Sequence, residues 1–101
     1  MIDIDYIREI NKRVPTAAMY EQLAEECVEL AHAALKMARH LRSENPTPMT
    51  EDHIKSNLTE EASDIYTVSK ILGIKPDMQV VAAKLMRWYD RLMDAEREAR
   101  E

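Results

Sequence analysis

Gly73 is the only glycine among 101 residues, and the chain has no Phe and a single Trp. What remains is rich in Ala, Leu, Met, Glu, Lys and Arg, the residues that lose least on entering a helix. Such a chain leans strongly to helix. The apolar positions agree. Within residues 3–13, Ile4, Ile7 and Ile10 fall at helical spacing, with Asp3 available as a cap. Val14-Pro15-Thr16 interrupts, and Thr16 is expected to cap the next helix. Residues 17–42 carry Met19, Leu23, Cys27, Leu30, Ala34, Met37 and Leu41 on one stripe, a long amphipathic helix. The segment SENPTPMT, residues 43–50, reads as a loop because of its prolines and capping residues.

A further helix is predicted from about Glu51 to Leu72, with Leu58, Ala62, Ile65, Ser69 and Leu72 as its stripe. Gly73 suits a helix C-terminus, and Pro76 stops or restarts the chain. Residues 76–99 make the last helix, with Val81, Leu85, Trp88 and Leu92 at spacings of three and four. No strand-like alternation occurs. The fold class is therefore predicted as all-α: one domain over residues 1–101, an up-and-down bundle of three long helices plus a short N-terminal one. A domain this short buries a modest core, so completion by oligomerisation is expected.

The net charge of −5 argues against binding a nucleic-acid polymer or a membrane surface by bulk charge. It leaves room for a small phosphorylated ligand, which needs only a local cluster of cations or a metal. Cys27 is the only cysteine, which excludes an internal disulfide and a cysteine-based zinc site. Its place on the apolar stripe predicts a buried thiol. No signal-like or membrane-spanning apolar run is present, and the expected location is cytoplasmic.

Two acidic phrases break the ordinary pattern of a solvated helix surface: Glu25-Glu26-Cys27-Val28-Glu29-Leu30 and Glu60-Glu61-Ala62-Ser63-Asp64-Ile65. At roughly 100° per residue, Glu25 and Glu60 point away from their stripes. Glu26 and Glu61 fall at the stripe edges, and Glu29 and Asp64 lie next outward. The offset has the same sense in both helices, so packing them together would gather Glu26, Glu29, Glu61 and Asp64 at the rim of the core. Carboxylates at such a rim repel one another and lose hydration. A divalent cation removes both costs, and an all-oxygen set suits Mg²⁺ or Mn²⁺ better than zinc.

The pattern Glu26-x-x-Glu29, a gap of about thirty residues, then Asn57-x-x-x-Glu61-x-x-Asp64 resembles the signature of the MazG-like all-α nucleotide pyrophosphohydrolases. The likeness covers roughly residues 20–93 and is closest to the short, single-domain forms of phages and bacteria. It includes Glu25 and Cys27, with Lys36 and Arg39 a turn or more later and Lys84 and Arg87 in the last helix. The resemblance implies Mg²⁺-dependent hydrolysis of a nucleoside triphosphate between its α and β phosphates, giving the monophosphate and pyrophosphate. It implies metal ligation by Glu26, Glu29, Glu61 and Asp64; a further carboxylate could take the proton as general base, and Glu25, which neighbours the pair but points outward, is a candidate. Lys36, Arg39, Asn57, Lys84 and Arg87 are the implied substrate contacts, and a homodimer or homotetramer is the implied assembly.

Other readings compete for single residues. Glu29-Leu30-Ala31-His32 has the Glu-x-x-His spacing of carboxylate-bridged di-iron proteins, but Asp64 is followed by Thr67 where the second phrase needs His. His40 and His53 read as surface residues. Trp88 lies on an apolar stripe and reads as core or interface packing. For the whole chain the alternative is a non-catalytic helical interaction or nucleotide-binding module of the same descent.

Overall fold

The computed structural model describes residues 4–44 and 49–101, so the expected Asp3 cap and much of the SENPTPMT loop lie outside the described residues. The chain is all-α, without strands among those residues. Helix α1 spans Ile4–Arg13, α2 Thr16–Leu41, α3 Glu51–Leu72 and α4 Met78–Arg100.

The helix ends follow local chemistry. Pro15, not Thr16, is the N-cap of α2, and no side chain caps that end. Thr16 is already inside the helix, where the ring of the preceding proline has set the entry. Thr50 caps α3 by accepting the His53 N–H at 3.2 Å. The Asp77 carboxylate caps α4 by accepting from the N–H groups of Gln79 and Val80. Helix α3 ends as expected at Gly73, whose φ of 75° only glycine adopts freely. The Ile74 N–H then reaches the Ser69 carbonyl at 2.9 Å and the Gly73 N–H the Lys70 carbonyl, a Schellman closure. Helix α2 ends in the same closure with Ser43 in the left-handed position, φ 58°, and Glu44 N–H on the Arg39 carbonyl.

Helices α2 and α3 form the packed unit. They run antiparallel. His40, at the end of α2, lies 3.8 Å from Glu51 at the start of α3, and Glu29 shares a cleft with Glu61 nearer their middles. The core between them is small: Met19 and Ala33 from α2, Ile54 and Val68 from α3, with Ile54 only 1% exposed. Helix α1 rests on α3, where the Asn11 amide donates to the Ile71 carbonyl at 3.0 Å.

The packed stripes differ from those read off the sequence. In α2, Met19 is buried and Leu23, Leu30 and Met37 are half-buried, but Cys27, Ala34 and Leu41 are exposed. Ala33 takes the buried place expected of Ala34, and Cys27 is an exposed thiol. In α3 the contact centres on Ile54 and Val68, leaving Ala62 exposed. The cause is that α2 is apolar on two faces. One meets α3, and the other, with Tyr20, Ala24, Cys27 and Ala31, is exposed. A single averaged stripe mixes the two.

Helix α4 stands away from this hairpin, and the bundle is not closed within one chain. None of its residues is buried. The radius of gyration is 18.5 Å, against about 13 Å for a compact domain of this length. Trp88, expected in a core or interface, is 67% exposed. Exposed apolar side chains on this scale point to oligomerisation or a partner. No described helix is long and apolar enough to cross a membrane.

Candidate metal centre

The carboxylates of Glu26, Glu61 and Asp64 offer oxygen atoms that all lie within 4.8 Å of one another. Two helices supply them. Glu26 sits mid-way along α2, and Glu61 and Asp64 project from successive positions on one face of α3, three residues apart. All three are half-buried at the edge of the interface. This is where the helical rotation of the two acidic phrases points.

Electrostatics records the crowding. The carboxyl of Glu61 titrates above the ordinary carboxylate range, first because burial disfavours its charged form, then because Asp64, Glu29, Glu26 and Glu60 repel it. Some of the local charge is met by a hydrogen bond, with the Gln22 amide donating to Glu26 Oε1 at 2.8 Å. No lysine or arginine forms an ion pair with the triad among the described contacts. Three converging oxygen donors could hold a metal ion.

Beside the triad, a cleft of about 210 Å³ is lined by Glu29, His32, Lys36, Asn57 and Glu61, with Ala33 and Ile54 as its apolar floor. Glu29, Lys36 and Asn57 thus share one cleft with Glu61. Glu29 is exposed and stands outside the close triad, although its charge is felt at Glu61. Glu25 is exposed and does not line the cleft. Arg39 is half-buried near the end of α2 and is likewise not a lining residue. Lys84 and Arg87 are exposed on α4, which does not pack on α2.

Two neighbours were not assigned to this site from the sequence. Gln22 lies one turn before Glu26, a spacing that permits its hydrogen bond. His32 lies one turn after Glu29, and its place beside Lys36 on the cleft follows from that periodicity. It does not join the close carboxylate group, so the Glu-x-x-His phrase does not form a di-iron ligand set among the described residues.

Compared with family models, curated proteins and solved structures, the chain matches none.

Proposed function

We propose that this chain is a divalent-metal-dependent nucleotide pyrophosphohydrolase of the MazG-like type, converting a nucleoside triphosphate to its monophosphate and pyrophosphate. The observation that carries the reading is the convergence of Glu26, Glu61 and Asp64, the two acidic phrases of the signature, from separate helices. In this reading the three hold Mg²⁺ or Mn²⁺. When bound, such an ion neutralises phosphate charge and lowers the pKa of coordinated water.

The chain's own side chains supply the rest. Lys36 and Asn57 line the same cleft and offer N–H donors to phosphate oxygens, where charge builds during displacement. Glu29 lines the cleft and is exposed, and in this reading its carboxylate accepts a proton from the attacking water. The apolar floor of Ala33 and Ile54 keeps water from the inner wall. At about 210 Å³ the cleft is smaller than the roughly 300–1,000 Å³ of pockets that enclose a whole small ligand. It accommodates phosphates, and the base and sugar need walls from a second subunit. A homodimer or homotetramer meets that need and offers a route by which Lys84 and Arg87 reach a site.

The test is pyrophosphate release from a panel of canonical and modified NTPs and dNTPs, with Mg²⁺ or Mn²⁺, for wild type and Glu61→Gln. Metal-dependent release lost in the variant supports the reading. A folded wild-type protein inert on the whole panel sinks it. The exposed apolar surface of α4 favours a second reading, a helical interaction module without catalysis. Thermal stabilisation by Mg²⁺ separates the two, since a plain helical module gains little from the ion beyond screening.

A further inference from the structure

Helix α3 has a second apolar face. Ala62, Ile65, Tyr66 and Ser69 recur at helical spacing. At about 100° per residue this face lies nearly opposite Asp64 and about a quarter-turn from the side that packs on α2. Beyond Gly73 the chain turns, and Ile74, Pro76 and Met78 complete the lining of a groove of about 770 Å³. That volume falls within the roughly 300–1,000 Å³ of small-ligand pockets. The groove shares no residue with the acidic triad or with the cleft beside it.

Most of this lining is aliphatic, but two cations stand at one end. Lys70 is in the last turn of α3, and Lys75 is in the segment that follows. Neither forms an ion pair among the described residues. Asp77, the nearest acid to Lys75 along the chain, is occupied in capping α4. The Lys70 ammonium lies 5.5 Å from the centre of the Tyr66 ring, which holds the charge at the groove. The same contact takes up one face of that ring, so a flat aromatic ligand would have to compete with Lys70 for it. An aliphatic ligand with an anionic head meets no such competition. Its charge lies against the two ammonium groups, and its tail covers the aliphatic wall. From Ala62 to Ser69 that wall is about 10 Å long at 1.5 Å per residue, the length of a medium acyl chain.

We propose that the groove at the α3–α4 corner binds a medium-chain aliphatic carboxylate, its head between Lys70 and Lys75 and its tail along Ala62, Ile65 and Met78. The chain as a whole carries a net charge of −5, so it is the local pair of unpaired lysines that draws an anion to this corner. Ile65 and Tyr66 belong to α3 and Met78 to α4. A bound tail therefore touches both helices and ties the root of α4 to the hairpin. This inference is independent of the catalytic reading and stands if the chain has no activity.

The experiment is isothermal titration calorimetry of the full chain with decanoate, butyrate and decyltrimethylammonium, each kept well below micelle formation. Decanoate is expected to bind saturably. Butyrate, which keeps the head and loses most of the tail, is expected to bind at least about 10-fold more weakly. Decyltrimethylammonium keeps the tail and reverses the head, and is expected to bind at least about 10-fold more weakly as well. In Lys70→Glu/Lys75→Glu the preference between the two decyl compounds is expected to reverse. Ala62→Trp fills the groove from an exposed position and leaves both lysines in place. It is expected to weaken decanoate binding by at least about 10-fold. Far-UV circular dichroism verifies that both variants keep their helix content. No saturable decanoate binding to wild type up to about 1 mM overturns the proposal and leaves the groove to a protein partner. Equal affinity of wild type for the two decyl compounds also overturns it, since that is unselective adsorption to exposed apolar surface. So does a charge-reversed variant that keeps the wild-type preference, or an Ala62→Trp variant that binds decanoate as wild type does.

Discussion

Glu26 of α2 and Glu61 of α3 present carboxylate oxygens within 4.8 Å of each other across the helix interface, with Asp64 completing the group. Like charges so placed are a liability to the empty site and an asset to a filled one. A divalent ion at about 100 times its dissociation constant adds about 2.7 kcal/mol of stability by mass action. Thermal melts should therefore shift upward with added Mg²⁺ or Mn²⁺ in wild type. In chelator, Glu61→Gln should melt above wild type, and added ion should move it much less. Equal ion responses in the two proteins would remove the metal centre.

The raised pKa of Glu61 fixes the sign of a pH effect. In the window between its ordinary and raised values, the folded chain holds a proton that the unfolded chain has released. Metal-free stability contributed by this group therefore falls as pH rises through the window, and recovers as pH falls below the ordinary carboxylate range. Urea melts in chelator across mildly acidic to neutral pH should show Glu61→Gln gaining on wild type as pH rises. Ion affinity should move the opposite way, strengthening with pH as protons cease to compete.

Lys36 and Arg39 are separated by less than one helical turn, yet only Lys36 lines the cleft. A charge-assisted hydrogen bond contributes about 1.5–3 kcal/mol, so Lys36→Ala should lower kcat/KM by roughly 10- to 100-fold. Arg39→Ala should cost less than Lys36→Ala. Steady-state kinetics on the best nucleotide from the panel measures both, and the reverse order would displace Lys36 from the phosphate contact.

Ile54 is the largest fully buried side chain among the described residues and also lines the cleft. Ile54→Ala should destabilise the chain by about 2–5 kcal/mol. A urea midpoint unchanged from wild type would mean that the α2–α3 contact is not the core of the fold.

Ser43 occupies a left-handed position that glycine occupies at the end of α3. Left-handed backbone costs a non-glycine residue about 1–2 kcal/mol, partly returned by the greater unfolded entropy of glycine. Ser43→Gly should stabilise the chain by about 0.5–1 kcal/mol, read as a higher urea midpoint at unchanged slope.

Much of this protein is written in local terms. The scarcity of glycine, the spacing of apolar residues, Gly73 and the proline breaks determine four helices in order, because propensity and capping act within a few residues of themselves. Helical rotation also determines that Glu26, Glu61 and Asp64 edge the core while Glu25 and Glu60 face outward. Which part of a broad apolar arc becomes buried is not local. Helix α2 has two apolar faces, and only its crossing with α3 selected Ala33 over Ala34 and left Cys27 in the open. The same packing put Glu29 outside the close triad and Lys36, but not Arg39, on the cleft. The largest departure is α4. Its sequence specifies an amphipathic helix and says nothing of where the other half of the interface lies. Burial needs two surfaces in contact, and one chain's tertiary structure leaves this surface bare.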